Sequence, residues 1–100
     1  MANGFKILWT DNALEELKAT YEYLESNFTK KEISKLSREI DNIVYLISIN
    51  PKLFIESEVK QEVRKAVILK YNTLYYRIKK NTIEILSFFS NRQNPAKAKF

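Results

Sequence analysis

Residues 63–90 read VRKAVILKYNTLYYRIKKNTIEILSFFS, and the period of two in this stretch decides the fold. Apolar and polar side chains alternate over Val63 to Lys70, Thr73 to Lys79 and Thr82 to Ser90, the signature of three strands. Tyr71-Asn72 and Lys80-Asn81 separate them as two-residue turns. Glycine is the usual turn residue, but Asn also tolerates positive φ. A three-stranded antiparallel meander is expected. With Tyr71-Asn72 as the first loop, Ile68 opposes Tyr75, Ala66 opposes Arg77 and Arg64 opposes Lys79. With Lys80-Asn81 as the second, Lys79 opposes Thr82, Arg77 opposes Glu84 and Tyr75 opposes Leu86. Alternation then assigns Val67, Leu69, Leu74, Tyr76, Ile78, Ile83, Ile85 and Phe89 to the face that packs on helices. The other face carries Arg64, Lys70, Tyr75, Arg77, Lys79 and Glu84, mixed with Ala66, Ile68, Leu86 and Phe88. A slip of one residue in either turn exchanges the faces.

Upstream, Phe5, Ile7 and Trp9 alternate with Lys6, Leu8 and Thr10 as a short strand. Thr10-Asp11-Asn12 supplies N-cap residues, and Leu14, Leu17, Tyr21, Leu24 and Phe28 form one apolar stripe on a helix from Asn12 to Ser26. Thr29-Lys30-Lys31-Glu32 has the capping-box pattern. Ile33, Leu36, Ile40, Ile43 and Ile47 make a second stripe, stopped by Asn50-Pro51. The short link, Asn27 to Thr29, sets the helices antiparallel. Between Lys52 and Glu62 the periodicity fades, and either a loop or an extra helical turn satisfies it. The fold class is α+β, β-α-α-β-β-β: a helical hairpin packed on a mainly antiparallel four-stranded sheet. One domain spans residues 1–100, with 91–100 as a C-terminal tail.

Composition limits the chemistry. The chain has no His and no Cys, so imidazole bases, thiolate nucleophiles, disulfides and the commonest metal ligands are excluded. No metal site or cofactor is expected, and any catalysis must use Lys, Arg, Tyr, Glu, Asp, Ser or Thr. The apolar run at Phe5 to Trp9 is far below the roughly 20 residues that span a bilayer, so a cytoplasmic protein without membrane contact is expected. The formal net charge of +5 divides unevenly: residues 1–50 hold 6 basic and 8 acidic side chains, residues 51–100 hold 11 and 4. A net charge of +5 by itself describes a solvated surface. Its concentration in the sheet half points to an anionic partner. A basic face mixed with Ile68, Leu86 and Phe88 suits a partner that is both anionic and apolar. Two qualify: an acidic amphipathic peptide, or nucleic acid, whose phosphates meet Lys and Arg while Tyr stacks on bases.

Three segments together resemble the RelE/ParE superfamily of bacterial toxins from type II toxin–antitoxin systems. Trp9-Thr10-Asp11-Asn12-Ala13, with Leu14 and Leu17, is similar to the family's strand-to-helix opening. Arg64, Tyr71, Leu74-Tyr75-Tyr76-Arg77 and Ile83-Glu84-Ile85-Leu86 resemble its sheet pattern. Asn91-Arg92-Gln93-Asn94-Pro95 resembles its ending. The resemblance runs from Phe5 to Pro95, and its β-α-α-β-β-β order agrees with the periodicity.

The family implies a growth inhibitor, of the kind used in plasmid stabilisation, neutralised by a cognate antitoxin. The antitoxin's C-terminal segment covers the sheet or the helical hairpin, giving a toxin–antitoxin hetero-oligomer. Two targets are implied: DNA gyrase for ParE-like members, and the ribosome with its mRNA for RelE-like members, which are metal-independent endoribonucleases. For the second, Tyr71, Tyr75 or Glu84 would serve as base, Arg64, Arg77 and Arg92 would hold the phosphate, and Lys70 or Lys79 would assist. This tail lacks the Tyr or His common in ribonuclease members, and Thr73 stands about where they carry an Arg. Both departures favour the ParE-like reading. A non-toxic α/β interaction module is the third alternative. The expected partner or target surface is Arg64, Lys70, Tyr75, Arg77, Lys79, Phe88 and Arg92.

Overall fold

The computed structural model describes residues 4–58 and 60–90. The elements are β1 (Lys6–Trp9), α1 (Asp11–Asn27), α2 (Lys30–Ile49), β2 (Arg64–Ile68), β3 (Asn72–Lys79) and β4 (Thr82–Ser90). The sheet order is β1-β4-β3-β2. β1 runs parallel to β4, and the other pairs are antiparallel. The two helices are the crossover that allows the one parallel pair, and they cover one face of the sheet. This is the α+β, β-α-α-β-β-β arrangement expected from the periodicity. No helix among the described residues is long and apolar enough to cross a membrane.

Local chemistry explains the joints. The Thr10 hydroxyl accepts from the Ala13 N–H at 3.2 Å and contacts the Ile85 carbonyl at 2.9 Å, so it caps α1 and ties it to β4 together. At Thr29 the backbone N–H donates to the Glu32 carboxylate at 3.1 Å, as the capping-box pattern requires. Leu24 and, from α2, Leu36, Ile40 and Ile47 bury against Leu74, Tyr76, Ile83 and Ile85 of the sheet. Trp9 packs at the edge of this core as an anchor.

Beyond Asn50 the chain forms a strap along β2 and not an extra helical turn. Lys65 N–H donates to the Ile55 carbonyl at 3.0 Å and Ser57 N–H to the Val63 carbonyl at 2.6 Å. The Tyr76 hydroxyl donates to the Pro51 carbonyl at 2.7 Å, and Arg64 Nη1 to the Phe54 carbonyl at 2.6 Å.

Two register details correct the face assignment. The β2–β3 loop holds three residues, so Ile68 opposes Asn72, Ala66 opposes Leu74 and Arg64 opposes Tyr76. Leu69 and Lys70 take φ of 50° and 72° to close it. Left-handed backbone costs roughly 1–2 kcal/mol per residue outside glycine. The register offsets this by turning Ala66 and Ile68 inward, each 1% exposed, and burying an Ile side chain stabilises by about 1.5–3 kcal/mol. Asn72, read as a turn residue, is a buried strand residue whose amide donates to the Ile68 carbonyl at 3.3 Å. Lys80-Asn81 is the turn expected, but Lys80 carries the positive φ, 58°.

The second correction lies in β4. Tyr76 opposes Ile85 while Tyr75 opposes Ser87, so Leu86 is an inserted bulge residue. Beyond it the faces exchange: Phe88 joins the helix-side core, and Phe89 packs with Val63 and Tyr75 on the other side. The pairing with β1 ends at Ile85, and beyond it side chains of α1 take the place of a strand along β4. The Glu16 carboxylate accepts from the Ser87 hydroxyl at 2.6 Å and the Phe88 N–H at 3.0 Å, and the Asn12 amide donates to the Leu86 carbonyl at 3.0 Å.

Candidate functional site

The sheet face away from the helices was expected to gather the functional residues, and it gathers only some of them. Arg77 and Glu84 pair across β3 and β4, with Nε to Oε1 at 2.5 Å, the cross-strand pair that the second turn predicted. Lys79 lies on the same face, two residues on, opposite Thr82. Tyr75 is there too, but 5% exposed among Val63, Leu86 and Phe89. Burial raises its pKa above the ordinary tyrosine value, so its phenol stays protonated at neutral pH and is a poor general base.

Other candidates fall elsewhere. Arg64 pairs with Tyr76 on the helix side of the sheet, and its guanidinium holds the Phe54 carbonyl of the strap. Phe88, expected on the open face, is 1% exposed in the core because of the bulge. Lys70 sits in the β2–β3 turn with its ammonium 5.6 Å from the centre of the Tyr71 ring. Tyr71, just before β3, therefore lies at the opposite end of that strand from the Arg77–Glu84 pair, about 20 Å along it. Thr73 is a buried strand residue. Arg92 and the rest of 91–100 lie outside the described residues.

A groove that sequence reasoning did not single out opens between the helical hairpin and the far end of the sheet, with a volume of 560 Å³. Tyr23, Leu24, Phe28 and Leu36 line it from the helices, and Leu69 and Tyr71 from the turn. Tyr23 and Phe28 stand with ring centres 6.0 Å apart. Glu32 and Lys35 sit at its rim. Phe28 was visible in the sequence as the end of the first apolar stripe, and Tyr23 was not singled out. Their meeting with the β2–β3 turn depends on a three-residue loop that no Gly announced.

Hairpin, parallel first strand and open sheet face are the architecture of the RelE/ParE superfamily. A family profile, ParE toxin of type II toxin-antitoxin system, parDE, matches residues 7–95. The solved chromosomal ParDE TA system from P. aeruginosa is similar, with a TM-score of 0.72 and 20% identity over 86% of this chain and 95% of that one; at that identity the likeness shows the fold. Comparison with curated proteins gives no match. The chain belongs to the ParE toxin family of type II toxin–antitoxin systems.

Proposed function

We propose that this toxin arrests bacterial growth in the cytoplasm by binding DNA gyrase through protein contacts, and that a cognate antitoxin neutralises it. One observation carries the choice of target. Among the described residues, the groups a ribonuclease would use are dispersed: Glu84 is tied to Arg77, Tyr75 is buried, and Arg64 serves the strap from the other side of the sheet. General acid–base catalysis needs base and phosphate-binding cations within hydrogen-bond reach of one phosphodiester. Binding a protein target makes no such demand.

The groove suits the antitoxin. Its apolar floor and rim charges, Glu32 and Lys35, fit an amphipathic helix laid along it. Replacing Tyr23 and Phe28 together by Ala should release a co-expressed antitoxin while leaving gyrase inhibition in place. Inhibition of supercoiling by the purified protein, with messages left intact in cells, is the outcome the proposal requires. Cut messages with normal plasmid topology would assign the RelE-like activity instead.

A further inference from the structure

The register places a basic row on the open face that no single sequence segment contains. Lys79 of β3 faces Thr82 of β4, and Thr82 faces Lys6 of β1. Lys6 and Lys79 therefore flank Thr82 on one face, two strand spacings apart, about 10 Å. Lys80 lies in the adjoining turn, and Arg77 is one row further along. Lys6, Lys79 and Lys80 are exposed, and among the described residues none has a carboxylate within 4.0 Å. The neighbouring acids are Glu84, which is held by Arg77, and Glu62, which lines a 240 Å³ cleft with Lys60 and Arg77 on the β2 side.

We infer that this row binds the phosphate backbone of double-stranded DNA. The surface offers cations fixed on a rigid sheet, with Leu8 as the exposed large apolar residue beside them. An acidic protein segment draws its affinity from buried apolar anchors, and the anchoring surface of this molecule is the groove at the other end of β3, about 23 Å away along the strand. A base-stacking mode needs exposed aromatic rings, and the ring nearest on this face, Tyr75, is buried. Duplex DNA carries one charge per about 1.7 Å of axis, so a rigid row of this length meets several phosphates in any sequence. Because row and groove lie at opposite ends and on opposite faces of the sheet, an occupied groove leaves the row open. The inference is independent of the gyrase assignment.

The test is fluorescence anisotropy of a labelled 20-base-pair duplex with the purified protein over a range of NaCl. Three phosphate contacts give a slope of log K against log salt of about −2.7, or roughly 40-fold weaker binding at 200 mM than at 50 mM salt. The double variant Lys6→Gln/Lys79→Gln should reduce the slope to about −0.9. Lys6→Arg/Lys79→Arg should preserve it, and Lys18→Gln/Lys31→Gln on the helices should leave it unchanged. Equal loss in the helix and sheet variants would overturn the assignment, as it would mean diffuse attraction by net charge. So would displacement of the duplex by a polyglutamate peptide at equal charge concentration, which would make the row a site for acidic protein segments.

Discussion

Replacing Glu16 by Ala probes the contact that sets both faces of β4. The Glu16 Oε1 accepts from the Ser87 hydroxyl at 2.6 Å, the Phe88 N–H at 3.0 Å and the Asn12 amide at 3.2 Å. Ser87 is 0% exposed, so its hydroxyl has little water to turn to. Hydrogen bonds to a charged acceptor each contribute about 1.5–3 kcal/mol, and a buried donor left unmade costs about 1–3 kcal/mol. Glu16 borders the groove, from which water can replace part of the loss. The expected cost is therefore about 2–4 kcal/mol, a large fraction of the roughly 5–15 kcal/mol that holds a domain folded. For about 100 residues this lowers Tm by roughly 10–25 °C. Glu16→Gln keeps an acceptor and should lose less than half as much. In denaturant melts, Glu16→Ala and Ser87→Ala should couple by about 1 kcal/mol or more. A loss under about 0.5 kcal/mol for Glu16→Ala, or additivity of the pair, would refute the idea that the carboxylate holds the bulge.

Further expectations concern the turns, the strap and the helix cap. Lys80→Gly should raise stability by about 1 kcal/mol, because glycine adopts positive φ without the Cβ penalty; a lower Tm would contradict this. Tyr76→Phe removes the only hydroxyl on the buried Pro51 carbonyl that the described hydrogen bonds give it. It should cost about 1–2 kcal/mol, read as a lower midpoint in urea with unchanged slope. The Thr29 hydroxyl beside Glu32 holds the Glu32 pKa below its ordinary value. A carboxyl depressed in the folded state stabilises above its unfolded pKa, and that contribution is lost as pH falls through the folded value. Acid melts should therefore show Glu32→Gln losing less stability than the parent below the usual glutamate range, and identical acid limbs would remove the cap from the account.

The fold was legible because its signals are local and redundant. The apolar stripes at Leu14 to Phe28 and Ile33 to Ile47, the box at Thr29-Glu32 and the period of two after Val63 each fix an element without reference to the others. The candidate site was less legible, because it depends on register. One loop longer than read put Arg64 on the helix side, and one bulge exchanged Phe88 with Phe89. Neither is visible in alternation alone. The loop uses Leu69 and Lys70 in a conformation usually reserved for Gly or Asn, and the bulge is held by Glu16, 71 positions from Ser87 in sequence. The second turn was read at its true length, which is why the Arg77–Glu84 pair and the place of Lys79 stand as expected. Lys6 joins Lys79 only through the parallel β1–β4 pairing.

The central claim is that this ParE-family toxin acts on gyrase by contact and not by cutting RNA. The most direct measurement is gyrase supercoiling of relaxed plasmid DNA with increasing amounts of the purified protein. The account predicts dose-dependent loss of supercoiling, reversed when the antitoxin is added. Full supercoiling at every dose, together with cleaved messages in cells expressing the protein, would contradict it.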